Sequence, residues 1–269
     1  MTERHTPVQV QGLTGVAALA GGSNNSLALR QNGTVWAWGN NYSGQLGDGT
    51  TIHRLTPVQV PGLTGVTALA VGLLHTLALK QDGTVWAWGN NAYGELGDGT
   101  TTQRLTPVQV PGLTDVMALA VSSGGPSYSL AVKQDGSVWA WGYNATGQLG
   151  DGTTRNRLTP VQVPGLTGVT ALAGGGAHTL ALKQDGTVWA WGNGGLGQLG
   201  DGTTTSQRLT PVQVQGLTGV AAISAGTWYS LAMKQDGTVW AWGNNGTGQL
   251  GDGTNNWRLT PYQVPGLSL

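Results

Sequence analysis

The chain contains no cysteine, which removes disulfides, thiolate metal sites and a cysteine nucleophile together. It is also poor in charge. Charged residues make up 9% of the composition and the formal net charge is zero, against roughly a quarter charged in an ordinary soluble domain. Overall charge therefore draws it neither to nucleic-acid phosphates nor to an anionic membrane, and neither is expected as a partner. No segment carries a 3.6-residue apolar period, and glycine, threonine, valine and tryptophan are weak helix formers, so helical solenoids compete poorly. No phosphate-cradling Gly-x-x-x-x-Gly-Lys-Ser/Thr occurs and no serine stands in a nucleophile elbow. The opening Met1-Thr2-Glu3-Arg4-His5 lacks the apolar run of a signal peptide, so a soluble chain with no visible address is expected.

What is present is repetition. Trp-Ala-Trp-Gly recurs at 36–39, 86–89, 139–142, 189–192 and 240–243, a spacing of roughly 50 residues that belongs to stacked or radial repeat units. In one unit, Val66-Thr67-Ala68-Leu69-Ala70 supplies small residues suited to a crowded inner strand. Thr76-Leu77-Ala78-Leu79-Lys80 follows, then Gln81-Asp82-Gly83 and the tryptophan strand. Asp-Gly between two apolar strands predicts a hairpin with a type I′ turn, which needs positive φ at both central residues. In the tryptophan strand, Val85 and Ala87 face one way while Trp86 and Trp88 face the other, so both faces are apolar. A sheet buried on both sides lies between neighbours, as a propeller blade does.

The expected fold is therefore all-β: a β-propeller of five repeat units with about four antiparallel strands per blade. It forms a single domain over 1–269, with repeats at approximately 6–55, 56–105, 106–158, 159–209 and 210–259. A Thr-Pro-Val-Gln-Val-type outer strand begins each repeat and returns once more at 260–264. That surplus leaves both Thr6–Val10 and Thr260–Val264 as candidates for the outer edge of the fifth blade. Closure of the five blades within one chain is expected, with burial of open ends against another copy as the alternative.

The run from His75 through Thr76-Leu77-Ala78-Leu79-Lys80-Gln81-Asp82-Gly83-Thr84-Val85-Trp86-Ala87-Trp88-Gly89-Asn90 resembles the repeat of the regulator of chromosome condensation family. So do Gly94-Glu95-Leu96-Gly97-Asp98-Gly99-Thr100 and Pro107-Val108-Gln109-Val110. The resemblance covers essentially the whole chain and implies a propeller, which in that family usually has seven blades. Nucleotide exchange on a small GTPase, an activity of the family, would go with a basic tail and a full ring, and this chain has neither. The family's plant ultraviolet-B photoreceptor is similarly tryptophan-rich, but here most tryptophans belong to the repeated core pair.

Strand alternation puts two connections of each blade at one end and two at the other. The second end hardly varies between repeats. The first end carries nearly all the change, with Tyr42, Leu73, Leu74, His75, Tyr93, Tyr128, Tyr143, His178, Trp228, Tyr229 and Trp257 among its variable residues. Outside the tryptophan strands, Tyr262 is the one aromatic residue that falls elsewhere. Tyrosine and tryptophan are enriched at binding hot spots, so these residues are the candidate partner-binding set. Drift in tolerant loops is the plainer account of the same pattern. Thr227-Trp228-Tyr229-Ser230-Leu231-Ala232 resembles loops of the propeller-type β-lactamase inhibitor proteins, which implies recognition of a protein.

Other motifs read as structural. One carboxylate per repeat, at Asp48, Asp98, Asp151, Asp201 and Asp252, cannot gather the oxygens of a calcium site, so these are expected to form turns. The arginines at 54, 104, 157, 208 and 258 are expected to be structural pairs or solvated charges. No catalytic residue, metal or cofactor is expected. The function expected is non-enzymatic binding of another protein. The alternatives are a structural or self-assembling module whose partner is a copy of itself, and a carbohydrate-binding module.

Overall fold

The computed structural model describes residues 5–268; residues 1–4 and Leu269, included in the expected 1–269 domain, lie outside the described residues. Twenty strands form five four-stranded antiparallel sheets, each with its strands in chain order. The first blade comprises Val16–Gly21, Asn25–Arg30, Val35–Gly39 and Arg54–Gln59. The second comprises Val66–Val71, His75–Lys80, Val85–Gly89 and Arg104–Gln109, and the third Val116–Val121, Tyr128–Lys133, Val138–Gly142 and Arg157–Gln162. The fourth comprises Val169–Gly174, His178–Lys183, Val188–Asn193 and Gln207–Gln213, and the fifth Val220–Ala225, Tyr229–Lys234, Thr238–Gly243 and Arg258–Ser268.

Each sheet takes its outer strand from the start of what the sequence frame treats as the next repeat. Residues 260–264 are therefore no surplus; they lie inside the outer strand of the fifth blade, where Gln263 pairs with Trp240. Thr6–Val10 joins no strand and lies exposed. The hairpin at Gln81-Asp82-Gly83 forms as expected, but not through a type I′ turn. Gly83 alone takes positive φ (75°), its N–H donates to Lys80 O at 2.9 Å, and Asp82 Oδ1 instead accepts from the Thr84 N–H and hydroxyl. A left-handed glycine after an ordinary turn is the next commonest way to close a hairpin.

The core is divided among the junctions between blades. Leu27, Leu29, Val35, Ala37 and Leu46 of the first blade pack on Val66, Ala78 and Trp88 of the second. Three further clusters repeat this arrangement down to the fourth and fifth blades. The valine/alanine face of one blade thus receives the tryptophan face of the next. Trp88, Trp141, Trp191 and Trp242 are fully buried in this way, which suits the large area each side chain can bury.

No such cluster joins the fifth blade to the first among the described residues. Leu19, on the inner strand of the first blade, is 73% exposed, whereas its counterpart Leu69 packs between blades. The expectation of closure within one chain is therefore corrected. The blades follow one another as an open arc, because each repeat supplies one face to the blade before it and one to the blade after, and the outermost faces have no such neighbour.

Candidate functional site

Strand register fixes which connections share an end. Gly39 pairs with Asn25 on one side and with Arg54 on the other, so the 22–24 and 40–53 connections leave the same end of the first blade. The pattern recurs in the second blade, where Gly89 pairs with His75 and Arg104. The inner connections of three blades converge, with Gly22, Ser23, Gly72, Leu73, Ser122 and Ser123 lining a cleft of about 400 Å³.

The outer connections are built on a repeated polar knot. Asn41 Nδ2 donates to Asp48 Oδ1 (3.0 Å) and Thr50 O (3.0 Å), while Asp48 accepts from the Thr50 N–H and hydroxyl and from Arg54 Nε at 2.6 Å. Burial alone would raise the Asp48 carboxyl, but the hydrogen bonds from Thr50, Arg54 and Asn41 hold it below the usual carboxylate range. The same aspartate–arginine pair recurs at Asp98–Arg104, Asp151–Arg157, Asp201–Arg208 and Asp252–Arg258. These carboxylates are turn formers and the arginines their partners. No group of three or more His, Asp or Glu side chains is placed to hold a metal ion among the described residues.

The knots hold the variable side chains at the loop tips. Tyr42 is 73% exposed and meets His53 edge-on, with ring centroids 4.1 Å apart. Tyr93, 38% exposed, meets Tyr143 of the next blade at 4.9 Å, which brings two predicted residues from different blades into contact. Trp228 and Trp257 are exposed, whereas Leu73, Leu74, Tyr143 and Tyr229 are half-buried.

Three members of the candidate set are corrected. His75, Tyr128 and His178 are fully buried and present nothing to a partner. Each opens the second strand of its blade and points into the junction with the next. His75 Nε2 lies 2.9 Å from Ser129 Oγ, and His178 Nε2 lies 2.9 Å from Ser230 Oγ. The Tyr128 hydroxyl lies 2.5 Å from His178 O, to which it donates, and accepts from Thr179 Oγ1. Burial lowers the imidazoles to about 4 for His75 and about 3 for His178, and it raises the Tyr128 phenol. Conversely, the candidate set omits Leu19 and Leu55, 73% and 85% exposed on the outer face of the first blade. The available signal is that Leu55 is the first copy of a leucine recurring at 105, 158, 209 and 259.

Comparison with known proteins follows the same repeat. The model of the regulator of chromosome condensation (RCC1) repeat matches residues 32–79, 82–132, 135–182, 185–233 and 236–268. The Arabidopsis thaliana ultraviolet-B receptor UVR8 is 34% identical over 264 residues, which is 96% of this chain and 48% of that protein. The human E3 ubiquitin-protein ligase HERC2 is 33% identical over 146 residues, 53% of this chain and 3% of the ligase. The chain thus spans at most about half the length of these relatives. Among solved structures, yeast RCC1 bound to Kap60 superposes with a TM-score of 0.80 at 26% identity, over 93% of this chain and 61% of that one. Human WBSCR16 gives 0.81 at 27% identity, over 93% and 67%.

Proposed function

Because the chain belongs to the RCC1 repeat family, whose yeast member has been solved bound to another protein, we propose that it is a non-enzymatic protein-binding propeller. The variable loops at one end of the blades are the recognition surface. The observation that carries this reading is the placement of Tyr42, Tyr93, Trp228 and Trp257. All four are exposed, and all stand in the connections where otherwise near-identical repeats differ. Rigid aromatic side chains contribute large contact area at low entropic cost, and the knots beneath Tyr42, Tyr93 and Trp257 hold those loops in place before a partner arrives. A non-enzymatic role accords with the repeated aspartates being committed to turns and ion pairs.

The test is quantitative binding. A protein retained by the immobilised chain is purified and titrated against wild type, against Tyr42→Ala, Tyr93→Ala, Trp228→Ala and Trp257→Ala, and against Gln81→Ala and Gln184→Ala at the opposite end. The reading expects at least one loop variant to lose roughly tenfold or more in affinity, the scale of a hot-spot residue, with its thermal midpoint unchanged and both control variants unaffected. Equal binding by all four loop variants, or a loss that tracks melting, would reject the loop surface.

A further inference from the structure

Where the second blade meets the third, the loop end departs from the repeat three times in one place. Glu95 stands where the other blades have Gln45, Gln148, Gln198 and Gln249. Tyr143 stands where they have an asparagine, at 40, 90, 193 and 244, and Tyr93 where they have serine, threonine or leucine. The structure brings the three together. The Tyr93 N–H donates to Glu95 Oε2 at 2.7 Å, and the rings of Tyr93 and Tyr143 meet with centroids 4.9 Å apart, inclined at 64°. A Cβ on Gly142, the residue before Tyr143, would lie 3.4 Å from Glu95 Cα.

Two of these residues cost the fold hydrogen bonds. In the first, fourth and fifth blades the glutamine Nε2 donates to the asparagine, as Gln45 does to Asn40 and Gln198 to Asn193, at 2.9 Å each. Glu95 has no such donor for Asn90, and Tyr143 leaves Gln148 Nε2 buried without a partner. Glu95 is also 2% exposed, so its charge is poorly hydrated. No basic side chain pairs with it among the described residues; Arg104 and Arg157, on the same two loops, are bonded to Asp98 and Asp151. Drift in tolerant loops does not account for three departures that touch one another and leave buried groups unpaired. Residues that break the rule of the fold without a structural gain mark function.

We propose that Tyr93, Tyr143 and Glu95 receive the ammonium group of a lysine side chain on the bound protein. This rests on the reading of the variable loops as a protein-recognition surface, and it names what one part of that surface takes. Tyr93 is 38% exposed and Tyr143 half-buried, so both rings are open to a cation, which aromatic faces attract. The carboxylate beneath them supplies the counter-charge and the acceptors for the ammonium N–H groups. A lysine fits because its slender apolar stem lies along the rings while its charge reaches down to a carboxylate that bulkier cations cannot approach. Rings inclined at 64° form no parallel slot for a planar guanidinium.

Titration of the full chain at neutral pH with acetyl-Gly-Lys-Gly-amide, against acetyl-Gly-norleucine-Gly-amide, follows the ring resonances of Tyr93 and Tyr143 by NMR. Both are expected to shift with the lysine peptide and not with its neutral counterpart. Glu95→Gln is expected to weaken binding roughly thirtyfold, the low end of what removing one partner of a buried charge pair costs, and Tyr143→Asn roughly threefold. Each variant installs the residue that the other blades carry. Both are therefore expected to melt no lower than wild type, which separates a lost contact from a lost fold. A norleucine peptide that binds as well as the lysine peptide, a Glu95→Gln chain that keeps wild-type affinity, or no shift at millimolar lysine peptide overturns the inference. None of these outcomes decides the loop reading, which the partner titration with Trp228→Ala and Trp257→Ala tests away from Glu95.

Discussion

Trp141 and Trp38 occupy the same place in the same tetrapeptide, yet they live in different surroundings. Trp141 is fully buried and donates its Nε1 to Glu95 O at 2.8 Å; Trp38 is half-buried on the outer face of the first blade. The difference lies in the neighbour. A blade in this chain does not own a complete core; it owns two half-cores, and its stability depends on which of them is met. That is the quasi-one-dimensional energetics of repeat proteins, and it makes the inner blades the rigid part and the terminal blades the yielding part.

The largest expected effect tests that contrast directly. Trp141→Ala opens a cavity in a closed junction and leaves Glu95 O with the Ser129 hydroxyl as its remaining side-chain donor; it costs about 3–5 kcal/mol on the scale of large-to-small core changes. Trp38→Ala removes a side chain that is half in solvent and is expected to cost less than half as much. Urea unfolding, at a concentration low enough that any assembly is dissociated, measures both. Equal losses would mean that the first blade is as firmly packed as the third.

The second effect is confined to inner junctions, where His75 and His178 are buried as neutral imidazoles. Their folded pKa values, about 4 and about 3, lie below the unfolded value of about 6.5. Above that unfolded value both states are neutral and the full stability is present. As pH falls below it, the unfolded chain takes up protons that the folded chain refuses. Stability therefore declines by roughly 1.4 kcal/mol per pH unit for each histidine, until pH passes through the folded values. The first blade has Asn25 at the same place and no such sensitivity. His75→Asn is expected to take up to about 1.4 kcal/mol per pH unit off the slope of unfolding free energy between about pH 6 and 5, above the range where the aspartates add their own; an unchanged slope would remove His75 as a source.

How far the sequence reaches follows from the range of each interaction. The repeat, the four strands and the hairpins are legible because they depend on neighbours in sequence: alternation in Val85-Trp86-Ala87-Trp88 and a glycine at position 83. The choice between Thr6–Val10 and Thr260–Val264 is not legible, because the two segments read almost alike and only the second follows a tryptophan strand within reach. The candidate set is legible in part. Tyr42 and Tyr93 stand well inside loops and are exposed. His75, Tyr128 and His178 stand at the first residue of a strand, where one position decides between solvent and the blade junction. The exposure of Leu19 and Leu55 depends on which blade face meets another in space, which no local pattern announces.

The smallest effect runs against the contrast, since one inner blade carries a flaw that both terminal blades avoid. In the first and fifth blades Gln45 and Gln249 accept a loop N–H through Oε1 and donate Nε2 to Asn40 and Asn244, at 2.9 and 3.0 Å. The second blade has Glu95 at that place. It accepts from the Tyr93 N–H at 2.7 Å but has no donor for Asn90, and burial raises its carboxyl above the ordinary value. A raised carboxyl pKa means that the folded state holds its proton more tightly than the unfolded state. Its contribution is therefore fully present below the unfolded value of about 4.3 and is lost as pH rises through the folded one. Glu95→Gln restores the donor and removes the buried charge, so a gain of about 1 kcal/mol at pH 7 is expected, the net worth of a typical buried hydrogen bond. The gain should shrink as the pH is lowered toward 4, where Glu95 itself is protonated. Thermal melts of the two proteins at both pH values decide it. A gain that does not change with pH would trace the effect to packing, and no gain at all would mean that the Ala92 N–H, 3.0 Å from Asn90 Oδ1, is donor enough for that carbonyl.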